Sequence, residues 1–215
     1  SPKIDSSAVD NPRLNAWILM PTGGVRVRFQ ISDDYADWHD VDTIEVAEEW
    51  TRVNIDLTSY KSKNLRIALV GECLKDFNFA YVDHIEIRGY LDNNLQATGI
   101  TGPDKVNFKE EAKYVVSVLN EGVRDASQFA VYLTDEEFNV LATKTVESLA
   151  AQNSVNVEIS YTPSIEMAGS ELTVYGVVGY DSDEEQDDNR TKTAVVTKVK
   201  GSSYPVATGL TGSRE

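Results

Sequence analysis

Val25, Val27, Phe29 and Ile31 alternate with Arg26, Arg28, Gln30 and Ser32, and this period of two recurs along nearly the whole chain. Side chains of an extended strand point alternately to opposite faces, so the pattern describes a strand with one buried face. Leu14, Ala16, Ile18 and Met20 repeat it, with Arg13, Asn15 and Trp17 opposite. So do Val53, Ile55 and Leu57, then Leu65, Ile67 and Leu69, then the run from Phe79 to Arg88. Turn residues separate the runs at 21–24, 32–34, 59–64 and 76–78. No window carries apolar residues at i, i+3, i+4 and i+7 over the length of a usual helix. The chain reads as all-β.

The pattern pauses at Leu91-Asp92-Asn93-Asn94 and a second series begins. Tyr114, Val116 and Val118 precede the turn Asn120-Glu121-Gly122, and Phe129, Val131 and Leu133 lead to a hairpin tip at Asp135–Asn139. Val140–Val146, Val155–Tyr161, Leu172–Val178 and Ala194–Val199 follow. With Leu95–Thr101 this makes about seven strands in ~105 residues, the count and spacing of an immunoglobulin-like sandwich. The expected division is 1–90, 91–202, and a linker or the start of another domain at 203–215.

Thirty-five acids against 20 bases give a formal charge of -15, which repels phosphate backbones and anionic headgroups. Nucleic acid is therefore not an expected partner. No apolar run approaches the ~18 residues of a membrane span. One cysteine, Cys73, allows neither an internal disulfide nor a Cys-based zinc site, and two histidines leave little for His-dependent chemistry. Ser1-Pro2-Lys3-Ile4 reads like the interior of a longer protein, and neighbouring domains of one parent chain are expected.

Two stretches resemble known families. Trp50–Lys61, Leu65–Leu69 and Tyr81–Ile87, with Pro2-Lys3-Ile4-Asp5 and Asn11-Pro12-Arg13-Leu14 before them, resemble the cleaved-adhesin jelly rolls of Bacteroidetes hemagglutinins and gingipain-type proteases. A complete member is longer at its N-terminus, so the resemblance implies a partial jelly roll exposed along one edge. Tyr114–Gly122, together with the acidic loop Tyr180–Arg190, is similar to the CARDB-type bacterial immunoglobulin-like domains. The tail at 205–213 looks like the opening of a fibronectin type III domain. Both resemblances imply secreted or surface-displayed, non-catalytic modules, associated with the outer membrane.

Candidate residues are few. Asp33–Asp40 gathers acids, Tyr35, Trp38 and His39 in a strand connection, and binding residues collect in loops on rigid scaffolds. Tyr35, Asp37, Trp38 and His39 are the expected ligand contacts; the plain alternative has Trp38 folded back as a plug on the sandwich. Asp83 shares the parity of Phe79, Tyr81, Ile85 and Ile87 and is expected in the core or its rim, as an acceptor for backbone N–H or Arg52, or as a metal ligand. Asp181, Asp183, Glu185 and Asp187 alternate, but an EF-hand would need Gly and Glu where Gln186 and Lys192 stand. That loop reads first as a solvated hairpin tip, with a looser cation site as the minor alternative. His84 is expected on the face opposite Asp83, so the two form no catalytic pair. No G-x-S-x-G elbow occurs, and Gly23-Gly24 precedes no helix.

No cofactor is expected beyond a structural calcium, which the jelly-roll resemblance leaves open. The expected function is a non-catalytic adhesion or binding region of a larger exported bacterial protein, recognising a host protein or glycan. The alternatives are a calcium-dependent carbohydrate-binding module of a secreted hydrolase and a structural spacer beside a peptidase domain.

Overall fold

The computed structural model describes residues 1–22, 24–74 and 78–201. Gly23, most of the turn at 76–78 and the expected linker at 203–215 lie outside the described residues. The chain is all-β, in two compact units, Ser1–Asp92 and the residues from Asn93 onward.

The first unit has β1 (Arg13–Leu19), β2 (Val25–Ser32), β3 (His39–Ile44), β4 (Thr51–Asp56), β5 (Arg66–Cys73) and β6 (Tyr81–Arg88). They pair as two three-stranded sheets, in the orders β4-β1-β6 and β3-β2-β5. Leu14, Ala16 and Ile18 of β1 meet Val25, Val27, Phe29 and Ile31 of β2, with Val53, Ile55 and Ile67, in one core. Each large side chain fully buried there stabilises the fold by about 1.5–3 kcal/mol. Strand β3 begins inside the expected connection, because Ile31 pairs with His39 and Gln30 with Asp40. Its sequence, His-Asp-Val-Asp-Thr-Ile, belongs to a sheet edge with no fully buried position, so no clean apolar alternation marks it.

Asp83 is exposed, not in the core. Asn15 pairs with Glu86 and Trp17 with Asp83, so His84 and Ile85 together oppose Ala16 in a β-bulge. His84 takes the left-handed conformation there, with φ 50°. The extra residue reverses the in-out phase: Ile87 packs on the core beyond the bulge and Val82 before it. Tyr81 and Asp83 are thereby turned outward, and Asp83 stands beside Trp17.

The second unit has β7 (Leu95–Thr101), β8 (Lys105–Asn107), β9 (Ala112–Asn120), β10 (Ala126–Thr134), β11 (Val140–Leu149), β12 (Ser154–Tyr161), β13 (Glu171–Gly179) and β14 (Val195–Lys200). A five-stranded sheet, β11-β10-β13-β14-β8, faces a three-stranded one, β12-β9-β7. Pairing is antiparallel except between β14 and β8. The eighth strand beyond the expected seven is the three-residue β8, too short to show a period. Tyr114, Val116, Val118, Phe129, Val131, Leu133 and Val174 fill the core. The hairpin tip expected at Asp135–Asn139 is formed, with Asp135 Oδ1 accepting from the N–H of Glu137 at 3.0 Å and of Asn139 at 2.8 Å.

Candidate functional site

The loop after β2 is held by its own short side chains. Ser32 Oγ accepts from Tyr35 N–H at 2.9 Å, and Asp34 Oδ1 accepts from Ala36 and Asp37 N–H at 2.8 and 3.0 Å. The N–H groups of Asp37 and Ala36 hold the Asp34 carboxyl below its ordinary range. Tyr35, at φ 73°, is thrown outward and is 59% exposed. The Arg66 guanidinium lies 3.7 Å from its ring centre, and Trp38 meets it edge-on at 6.3 Å.

Tyr35 and Trp38 form one wall of an open groove of about 670 Å³. Its floor and far wall come from β5 and β6, through Ile67, Leu69, Ile85 and Ile87, with Glu86 adding a carboxylate. Ser1 and Ile4 line its other end, where Ile4 N–H donates to Leu65 O at 2.8 Å. The sequence contains these strand residues, but Ile85 enters the groove only because the bulge leaves it 47% exposed. The sequence-expected loop residues therefore separate. Tyr35 and Trp38 share this groove, whereas His39 lines a different pocket of about 260 Å³ with Asp33, Tyr60 and Lys61. Asp37 is exposed and serves the loop through its backbone N–H.

Asp83 Oδ1 accepts from the N–H of His84 at 2.7 Å. Both side chains are exposed, because alternation fails across the bulge, and His84 Nε2 lies 3.7 Å from Glu86 Oε2. Cys73 is exposed, its Sγ donating to Asn78 O at 3.6 Å. Among the described residues, no three Asp, Glu, His or Cys side chains converge on a point that could hold a metal ion.

In the second unit, the stretch between β13 and β14 packs back onto the start of β7, as Leu95 N–H and Ala97 N–H both donate into it. Residues 92–194 match the CARDB family model. No curated protein matches the chain. Among solved structures, the chain is similar to the CARDB domain of a Pyrococcus furiosus protein in complex with di-metal ions. The identity is 19% and the TM-score 0.41, covering 51% of this chain and 90% of that one. A domain of a Methanosarcina acetivorans protein, described as a cell surface protein, is 21% identical with a TM-score of 0.41, covering 51% of this chain and 93% of its own. A Bifidobacterium dentium β-glucuronidase complexed with coumarin-3-O-glucuronide is 10% identical with a TM-score of 0.38. There the match covers 92% of this chain but 38% of the enzyme. Among the described residues, no helix is long and apolar enough to cross a membrane.

The acidic loop of the CARDB-matching unit is not simply a solvated tip. Asp181, Glu184, Glu185 and Asp187 are exposed, but Asp183 is 8% exposed and Asp188 half-buried. Asp183 turns inward because Leu95 N–H, at the start of β7, needs an acceptor: Oδ2 takes it at 3.2 Å, while Oδ1 takes Glu185 N–H at 3.3 Å. Burial raises the carboxyls of both Asp183 and Asp188, and the negative charge of Asp183 raises Asp188 further. The sequence signal for this inward turn was weak: Asp183 shares its spacing with three exposed acids.

Proposed function

We propose that the chain is a non-catalytic, extracellular binding region of a larger surface protein, in which the first unit recognises ligand and the CARDB-matching unit acts as its support. The observation that carries this reading is the pre-ordered Tyr35–Trp38 wall over an open apolar groove with Glu86 at its side. Aromatic rings beside a carboxylate suit a sugar, whose C–H faces stack on the rings while its hydroxyls donate to the acid. A host glycan is accordingly the favoured ligand. The distribution of exposed rings agrees. Trp17, Tyr35, Trp50, Tyr60, Phe79 and Tyr81 lie in the first unit, against Phe138 in the second, among the exposed large side chains described. The jelly-roll resemblance of residues 1–90 supports an adhesin-type role for the same unit.

The test is a printed glycan array probed with the fluorescent chain and with Trp38→Ala. Retention on a defined set of glycans, weakened about tenfold by the substitution, is expected for the loss of one stacking ring. Equal retention of both proteins, or none of either, would remove the groove as a glycan site.

A further inference from the structure

Phe129, Val131 and Leu133 of β10 point into the core of the second unit, so Ala130 and Tyr132 between them face outward. On that outer face lies an open depression of about 410 Å³. Its floor is low, because Ala130 pairs there with Gly179 of β13. The Tyr132 ring fills the space that a side chain at position 179 would need: a Cβ there would stand 2.7 Å from it. Glycine thus lets the ring lie along the sheet rather than stand off it. Tyr180 adds a second half-buried ring beside it. Ser127, Gln128, Asp181 and Ser182 complete the lining. Gln128 sits at φ 45°, an uncommon conformation for any residue but glycine, and more so inside a strand. None of these four side chains, and neither tyrosine hydroxyl, makes a hydrogen bond or ion pair with another described residue. Polar side chains that the fold does not use therefore converge on one depression, around two rings.

We propose that this depression is a binding site for a neutral sugar, giving the second unit a recognition contact of its own. A sugar ring offers C–H groups on its faces and hydroxyls that both donate and accept around its rim. The lining matches that division. Tyr132 and Tyr180 supply the ring faces, and the Gln128 amide with the serine and tyrosine hydroxyls supplies groups that donate and accept. Asp181 adds a pure acceptor for a sugar hydroxyl. No Lys, Arg or His lines the depression, so nothing there selects an anion. An organic ammonium ion could use the rings and Asp181, but it would leave the amide and the hydroxyls with nothing to bond. The volume suits a mono- or disaccharide lying on the sheet. The site shares no residue with the groove of the first unit, and it does not depend on that groove binding a glycan.

The test is titration of the ¹⁵N-labelled chain with glucose, galactose, mannose and N-acetylglucosamine, and separately with choline chloride, following each backbone amide by NMR. Saturable shifts at the amides of Gln128, Gly179 and Ser182 with at least one sugar are expected. Gly179→Ala should weaken that binding about tenfold, the loss of one stacking ring, because the new methyl displaces the Tyr132 ring. The ring tip can move aside, so the variant's spectrum should otherwise remain native; Tyr132→Ala removes the same ring without adding a methyl and should weaken binding alike. No shift at these amides with any of the sugars overturns the proposal, as does a response to choline alone. Parent-like sugar binding by both variants overturns it too. Shifts confined to the amides of Tyr35 and Trp38 would keep the first-unit groove and overturn this site, whereas shifts at Gln128 and Gly179 alone would do the reverse.

Discussion

The Tyr114 hydroxyl donates to Thr197 Oγ1 at 2.8 Å, from β9 in one sheet of the second unit to β14 in the other. The direction follows from stoichiometry. Thr197 has one hydroxyl proton, and it goes to Pro103 O at 2.8 Å, so Tyr114 must supply the other. Both residues are wholly buried, and burial pushes the Tyr114 phenol up, keeping it a neutral donor.

Breaking this relay from its two ends should have unequal costs. Tyr114→Phe removes a donor and leaves Thr197 bonded to Pro103, for a loss of about 1 kcal/mol. Thr197→Val strands the Tyr114 hydroxyl and the Pro103 carbonyl together, for a loss of ~2–3 kcal/mol. Urea unfolding of the two variants reads the difference directly, and equal losses would show that the relay does not run in this order.

Asn120 closes the turn between β9 and β10 from inside. At 1% exposure, its Nδ2 donates to Arg124 O at 2.8 Å and Leu149 O at 3.0 Å, while Oδ1 accepts from Gly122 N–H at 3.0 Å. Asn120→Asp would set a buried carboxylate against two carbonyls and should lower stability by about 3 kcal/mol or more at neutral pH. Acidification protonates the new group and restores a donor; burial raises its folded pKa, so the deficit should shrink as pH falls from above the ordinary carboxylate range into it and level off below. A deficit that stays constant across pH would rule out this account of the residue.

The bulge in β6 predicts a difference between two substitutions at one position. His84 sits at φ 50°, where a β-branched side chain is strained and glycine is not. His84→Val should destabilise the first unit by roughly 1–2 kcal/mol, and His84→Gly should be neutral or slightly stabilising. Thermal melts ranking the two alike would mean that the residue leaves the left-handed region in solution.

That bulge also marks where the sequence stopped being legible. Alternation in β1, β2 and β4 gave the correct inward faces because these strands carry no inserted residue themselves: where their ladders shift, the extra residue lies in the partner, β6 or β3. In β6 the apolar spacing of Tyr81, Ile85 and Ile87 looks continuous, yet one inserted residue puts Ile87 inside and Tyr81 outside. Nothing in His84 or Ile85 signals this, because the partner strand fixes the register. Tyr35 and Trp38 could be picked out as candidates because exposed rings in a strand connection need little tertiary context. Leu69 and Ile85 opposite them could not, since only the approach of two edge strands makes them a wall. In the second unit, Asp183 and Asp188 were hidden by resemblance to their neighbours: burial separates them from Asp181 and Asp187, and burial is not written in spacing.

At the β10–β11 tip, the Asn139 side chain first, then the N–H groups of Asn139 and Glu137, hold the Asp135 carboxyl below its ordinary range, with Arg190 adding its charge. A depressed carboxylate contributes stability that is fully present above its unfolded pKa and is lost as pH falls through the lower folded value. Amide exchange at Glu137 and Asn139 should therefore stay slow through mild acidification and quicken only in stronger acid. Asp135→Asn should flatten that response. Early quickening, within the ordinary carboxylate range, would contradict it.

Strands β8 and β14 lie far apart in sequence, near the beginning and the end of the second unit, yet they run side by side in the same direction, Lys105 facing Lys198 and Asn107 facing Lys200. That direction decides how the unit meets a pull applied to its two ends. Tension applied between Asn93 and Gly201 drags the two strands past each other, so their hydrogen bonds must give way together, where a hairpin pulled open from its end would lose them one by one. Single-molecule stretching between those points should record one high rupture force rather than a series of small ones.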